Sequence, residues 1–357
     1  MKENKKQFIE LYHIIEEKIN SIDFDLLYQG FKPYDFALYN DNYVFLKDKI
    51  IPLDNRFIGN TAIVYEDSYL AIWKVDSVFV HHNSLSSKIV HEMFHAFQMS
   101  ENELRFPNEF LGLGYLYEKF NIALKYDETK LLLKAYEDED KETLVKFVSY
   151  RERRRKDYLN ELNYEEGIET VEGTAKFVEL KALKFLDKQE FLKEYDKLKE
   201  NIKNLKYYIP IRNVCYDIGA LMLLIKERLE LNYSYEIKDE QRNNYELIFS
   251  EFEAQEIYYE NTMLNLNFLE EYYEAIVERI EAILLSNPKI HQIDKIIGFD
   301  PLNSFRINNH LYFKYFLMFE HNQKQIYLKN ECVVELDEFN QVIAVYERRR
   351  DREYIAK

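Results

Sequence analysis

The run Ser86-Ser87-Lys88-Ile89-Val90-His91-Glu92-Met93-Phe94-His95-Ala96-Phe97-Gln98 decides how the rest of the chain is read. On an α-helix, residues four apart lie about 40° apart around the axis and one turn along it, so His91 and His95 can grip one metal ion from one face. Neutral imidazole binds zinc well, and three protein ligands leave a fourth place for water. Glu92 flanks that place, where a carboxylate can take a proton from water. Ile89, Val90, Met93, Phe94, Ala96 and Phe97 make the segment apolar nearly all the way round, the mark of a buried helix. Without a metal, the same helix would bury a glutamate charge with no partner. This is the arrangement of a zinc hydrolase.

The composition bounds the setting. A chain of 357 residues can bury a large core, and 47% hydrophobic residues fit a globular fold. With 30 Tyr and 25 Phe but only 8 Gly and 6 Pro, long helices are favoured over a many-turned β architecture. A net charge of -16 argues against nucleic acid and against anionic membrane surfaces as partners. The N-terminal residues form no signal-like apolar run, and the longest apolar block, Ile218 to Ile225, is too short for a bilayer, so a soluble, cytoplasmic protein is expected. Cys215 and Cys332 stand far apart without metal-type spacing, and no cysteine-hydrolase signature surrounds Cys215.

Working outward, residues 5 to 20 carry Phe8, Leu11, Ile14, Ile15 and Ile19 at helical spacing. From Phe31 to Val80 the pattern shortens to strand-like runs, Phe36 to Tyr39, Tyr43 to Leu46, Thr61 to Tyr65 and Leu70 to Val75. Asn40-Asp41-Asn42 and Glu66-Asp67-Ser68 read as hairpin turns. A small, mainly antiparallel sheet is expected there, with an edge on which an extended peptide could lie. Asn83 or Ser84 is the expected N-cap of the motif helix, and His81 and His82 precede it, off its metal face. Helices are expected over Tyr115 to Lys125, Glu128 to Tyr136, Lys141 to Tyr158 and Glu161 to Leu186. Arg151, Arg153, Arg154, Arg155 and Lys156 read as a solvated or salt-bridging helix face.

Further on, Glu165, Glu169 and Glu172 recur at four and three, placing three carboxylates on one stripe that calls for a cation. His91-Glu92-Met93-Phe94-His95 followed by Glu172-Gly173-Thr174-Ala175 resembles the gluzincins, zinc metallopeptidases whose second helix supplies a Glu ligand followed by Gly or Ala. The resemblance covers roughly residues 60 to 230. It implies that His91, His95 and Glu172 hold Zn²⁺ and that Glu92 is the general base. The separation, 172 − 95 = 77, is longer than in compact members and implies a helical insertion at about 105 to 160. Glu169 is the alternative ligand. Because Gly173 permits close helix approach while Thr170 and Val171 are bulky, Glu169 is expected instead to bond a ligating imidazole. Related peptidases set a Tyr or His on a later helix against the oxyanion; Tyr216 holds a suitable position, with Tyr207 and Tyr208 competing.

Residues 231 to 287 return to helix, Tyr245 to Tyr258 and Leu264 to Leu285. After Asn287-Pro288, the runs Ser304 to Asn308, Leu311 to Glu320, Gln325 to Leu328, Cys332 to Leu336 and Gln341 to Tyr346 read as a β-meander that could cap the site, bind substrate or mediate assembly. The expected fold is α+β: an N-terminal helix and antiparallel sheet (1–80), a helical zinc-binding metallopeptidase core (81–287) and a C-terminal β-rich domain (288–357). The expected activity is peptide-bond hydrolysis of a peptide or protein substrate. The competing expectation is a non-catalytic peptide- or protein-binding module that retains the zinc site; an intact Glu92 favours the enzyme.

Overall fold

Phe8, Leu11, Tyr12, Ile15 and Ile19 recur at three and four, and all are buried along one face of the opening helix α1 (Lys2–Asn20). A computed structural model describes residues 2–47, 49–78, 80–257, 264–285 and 290–348. After a short α2 (Phe24–Leu27) come β1 (Asp35–Tyr39), β2 (Tyr43–Leu46), β3 (Lys49–Pro52), β4 (Thr61–Tyr65) and β5 (Ser68–Lys74), in the spatial order β3-β2-β1-β5-β4. Both expected hairpin turns form. Asn40 Oδ1 accepts from the backbone N–H of Asn42 and Tyr43, each at 2.9 Å, and Glu66 and Asp67 adopt φ of 47° and 63°.

The sheet departs from the expectation at its centre, where β1 and β5 run parallel. Burial explains the order. Leu70, Ala71 and Ile72 on β5 are all buried, which suits an interior strand, whereas β4 exposes Val64 and takes the edge. β3, which the sequence pattern passed over, forms the other edge.

The motif helix α3 (His82–Ser100) packs on β5 and β4 and on α1. Its N-cap is His81, with no side-chain cap, not Asn83 or Ser84. The Asn83 amide is committed elsewhere, donating to Asp187 Oδ2 at 3.1 Å. Next come α4 (Glu109–Leu113), α5 (Lys119–Asp138), α6 (Lys141–Asp157), α7 (Leu159–Leu186), α8 (Lys188–Lys203) and α9 (Ile211–Arg228). α5 is one helix where two were expected, and it starts later. Tyr115 and Tyr117 lie before it, anchored by tertiary bonds, Tyr115 Oη to Glu165 Oε1 at 2.5 Å and Tyr117 Oη accepting from Ile211 N at 2.9 Å. α7 is the central strut, touching α3 on one side and α9 on the other. Gly173 on α7 meets Gly219 on α9, where an added Cβ at Gly173 would sit 2.5 Å from Gly219 Cα. The glycine after Glu172 therefore serves the approach of α7 to α9.

α10 (Asn244–Phe249) is shorter than the expected Tyr245 to Tyr258, whose last residue lies outside the described ones. α11 (Phe268–Leu284) bridges two cores: Leu269 belongs to the helical one, while Ile276, Ile280 and Ile283 pack on Tyr312 and Val333. The expected boundary at 287/288 also lies outside the described residues. Beyond it come β6 (Ile290–His291), β7 (Lys295–Phe299), β8 (Ser304–Ile307), β9 (His310–Phe313), β10 (Leu317–His321), β11 (Lys324–Leu328), β12 (Cys332–Leu336) and β13 (Val342–Glu347).

These strands do not form a simple meander. They pair as β11-β10-β7 and β6-β13-β12-β9-β8, antiparallel throughout, and the expected run Leu311 to Glu320 is split between the two sheets. Phe313, Leu317, Phe319, Leu328 and Val334 fill one core, which a single sheet would leave wet on one face. Leu113 of α4 enters that core too. The architecture is α+β, and no helix among the described residues is long and apolar enough to cross a membrane.

Candidate metal centre

Four-residue spacing on α3 brings His91 and His95 to one face, and α7 crosses it so that Glu172 meets both. His91 Nε2 and His95 Nε2 are 3.2 Å apart, and Glu172 Oε2 lies 3.1 Å from His95 Nε2 and 3.6 Å from His91 Nε2. Ligands about 2.0 Å from one tetrahedral ion stand about 3.3 Å from each other. The three atoms therefore fit a single zinc-sized ion. Both imidazoles are buried, and two lone-pair nitrogens facing each other beside a carboxylate is an arrangement that a cation stabilises.

The far side of each ring explains why Nε2 faces the metal position. His91 Nδ1 is 3.2 Å from Glu179 Oε2, and His95 Nδ1 is 2.8 Å from Gln98 Oε1. Gln98 Nε2 in turn donates to Val171 O at 3.0 Å, which fixes its oxygen towards His95. Each ring donates from Nδ1 and keeps the Nε2 lone pair for a metal. Glu179 and Gln98 were not singled out from sequence. Their signal was spacing: each lies seven residues, two turns, beyond a member of the triad, Glu172 or His91.

Glu172 is shared. Oε2 faces the imidazoles, while Oε1 accepts from Arg212 Nη2 at 2.7 Å. Arg212 Nη1 donates to Glu109 Oε1 at 2.7 Å, and Tyr164 Oη donates to Glu109 Oε2 at 3.0 Å. Burial works against ionisation of Glu172, but His95, His91 and Arg212 outweigh it and hold the carboxyl well below its usual range. Glu92 is buried beside the triad, and burial raises its carboxyl above the usual value against the lowering pull of the two histidines.

Glu169 is not beside an imidazole. It receives Lys125 Nζ at 2.7 Å on Oε1 and Arg151 Nη1 at 2.7 Å on Oε2. Glu165 receives Lys125 Nζ at 2.7 Å, together with Arg154, and Glu128 receives Arg151 Nη2 at 2.9 Å. The carboxylate stripe thus divides. Glu172 faces the metal position, and the cations for Glu165 and Glu169 are the chain's own. The basic run is correspondingly not solvated throughout, since Arg151 and Arg154 are fully buried. Burial opposes ionisation of Glu165, yet Arg154 and Lys125 prevail and hold it far below the ordinary carboxylate range. Cys215 lies within reach of Glu165 and Glu169, and burial pushes its thiol well up, so it is no thiolate.

A cavity of about 310 Å³ opens beside the triad, with His91, Glu92 and Tyr216 in its wall. The Tyr216 ring lies parallel to that of His91, centroids 6.3 Å apart, and burial raises its phenol well above the ordinary value, so it stays an O–H donor. Tyr207 also lines the cavity. Tyr208 does not compete: it is buried and donates to Ile202 O at 2.9 Å. Trp73 from β5 and Leu302 from the C-terminal region complete the rim, so one residue of the strand-rich part reaches the site. His81 and His82 line a separate cavity with Asp187 and Glu190. No protein-family model, curated protein or solved structure matches the chain, and the site is characterised by its own geometry.

Proposed function

We propose that the chain is a zinc-dependent peptidase of gluzincin type, with His91, His95 and Glu172 as ligands and Glu92 as general base. The observation that carries this reading is the triad itself: three ligand atoms at the mutual spacing of one tetrahedral ion, with Glu92 and an open cavity beside them. When bound, zinc supplies Lewis-acid polarisation of the scissile carbonyl and acidifies a water. Glu92 takes a proton from the attacking water and returns it to the departing amine nitrogen, so hydroxyl is added to carbon and hydrogen to nitrogen. The raised carboxyl of Glu92 suits it to carry that proton between the two steps. The protonated Tyr216 phenol can donate to the carbonyl oxygen as negative charge gathers there. An extended substrate has a place to lie, because β4 is the edge of the sheet on which α3 packs.

The test is metal content by elemental analysis and peptide hydrolysis by mass spectrometry on the same preparations. About one zinc per chain is expected in the wild type and in Glu92→Gln, with hydrolysis lost by at least about 10²-fold in the variant. Stoichiometric zinc surviving in a His91→Ala, His95→Ala double variant would remove the ligand assignment. Zinc without hydrolysis of any peptide would favour a binding module.

A further inference from the structure

Deepening the peptidase reading, and resting on it for the identity of the ligand, we propose that the cavity beside the metal position is a specificity pocket for a cationic side chain, lysine or arginine, flanking the scissile bond, and that Asp217 is its counter-ion. Asp217 is 4% exposed, lies in the cavity wall and accepts one neutral hydrogen bond, from Asn201 Nδ2 to Oδ2 at 2.9 Å. It forms no ion pair among the described residues.

The buried charges of the cavity other than Asp217 have partners or a role in the proposed chemistry. Lys176 is bound to Glu179 at 2.7 Å, and Lys197 stands 3.9 Å from Glu194. Lys88 is exposed at the rim, one turn before Glu92 on α3, and Glu92 belongs to the chemistry. What remains is one buried carboxylate with no cation at ion-pair distance among the described residues, Lys176 and Lys197 acting on it only from further off. A buried charge is costly unless it is paired, and the cavity that Asp217 lines gives a partner a way to reach it. Burial pushes the Asp217 carboxyl up to about 6, against the lowering effects of Asn201 and Lys176, so a cation brought close would favour its ionised form. A cationic substrate group entering the cavity would restore ionisation. Glu92 lines the same cavity, so the adjoining peptide bond would share it with the general base of the proposed reaction.

The test needs no turnover, so its failure is separable from failure of the peptidase reading. Calorimetry on the full chain, zinc-loaded and chelator-treated, compares L-argininamide with its neutral isostere L-citrullinamide. Wild type is expected to bind argininamide at least about ten-fold more tightly, the preference vanishing in Asp217→Asn and persisting in Asp217→Glu. Equal affinity for the two probes, including none for either, overturns the proposal. So does a preference that survives Asp217→Asn, or tighter binding of an acidic amide than of argininamide, which would give the cavity to its lysines. Should the Asn variant fail to fold, Asp217→Ser serves the same comparison.

Discussion

Arg212 holds the outer oxygen of Glu172 at 2.7 Å while the inner oxygen faces both imidazoles. The guanidinium thereby fixes the rotation of the carboxylate and, on the proposed reading, leaves it one oxygen for a metal. Arg212→Lys keeps the charge but cannot bridge Glu172 and Glu109 in the same fork. Zinc affinity, read by competition with a chromogenic chelator, should fall by about 10 to 100-fold. An unchanged affinity would show that the α7 backbone alone orients Glu172.

Glu179 and Glu169 should behave in opposite ways. Glu179→Gln weakens the acceptor behind His91 and should lower zinc affinity by about 10-fold or more, while the loss of the Lys176 ion pair also costs fold stability. Glu169→Gln leaves Lys125 and Arg151 short of a buried partner and should cost about 3 to 5 kcal/mol in urea denaturation. Zinc bound per folded molecule should not move in that variant. Reversed outcomes would return Glu169 to the metal.

The contact between α7 and α9 sets a third expectation. A Cβ at Gly219 would collide with the carbonyl oxygen of Glu169 and stand 2.7 Å from Gly173 Cα. Backbone, unlike a side-chain tip, cannot swing away, so the helices must part. Gly219→Ala should destabilise by about 1 to 3 kcal/mol or more, although alanine favours a helix. A stability gain in thermal melts would refute the close approach.

Asp217 gives stability a pH dependence of known sign. Its carboxyl titrates near 6 when folded, above the 3.8 of the free side chain, so the folded state binds more protons between those values. The stabilising contribution is complete below pH 3.8 and is lost as pH rises through about 6. Asp217→Asn should remove that loss, making the variant more stable than wild type at pH 7 by of order 3 kcal/mol relative to their difference at low pH. Parallel urea titrations at the two pH values measure it. A wild type that instead gains on the variant as pH rises would mean that the carboxylate is already paired.

Features encoded locally were legible in the sequence. The four-residue spacing of His91 and His95 fixed their common face, and strand-type alternation with Asn40 and Glu66 turns located four strands of the first sheet. Features encoded across distance were not. Whether Glu169 meets an imidazole or Lys125 depends on which side chain reaches α7 from α5, and helical spacing says nothing of that. Tyr115 looked helical by pattern but is drawn out of the helix by Glu165, fifty residues on. The bridge from Glu109 through Arg212 to Glu172 joins three segments that carry no shared motif. Strand β7 was missed because Lys295-Ile296-Ile297-Gly298-Phe299 is too short a signal until β10 lies beside it.

α4 ties the two ends of this arrangement together. Its first residue, Glu109, holds the arginine behind Glu172, while Leu113 is buried among Ile296, Leu311 and Phe313, and Phe110 meets Phe299 ring to ring at 5.5 Å. On a ribosome these partners are made in order, the histidine helix early and the strands that seat α4 last. α4 can lie on α7 before then, but Phe110 and Leu113 lack their strand partners until most of the chain has emerged. On the proposed reading of the site, a nascent chain carries His91 and His95 long before the strands that seat α4, and with it the full support of the arginine behind Glu172, have been made.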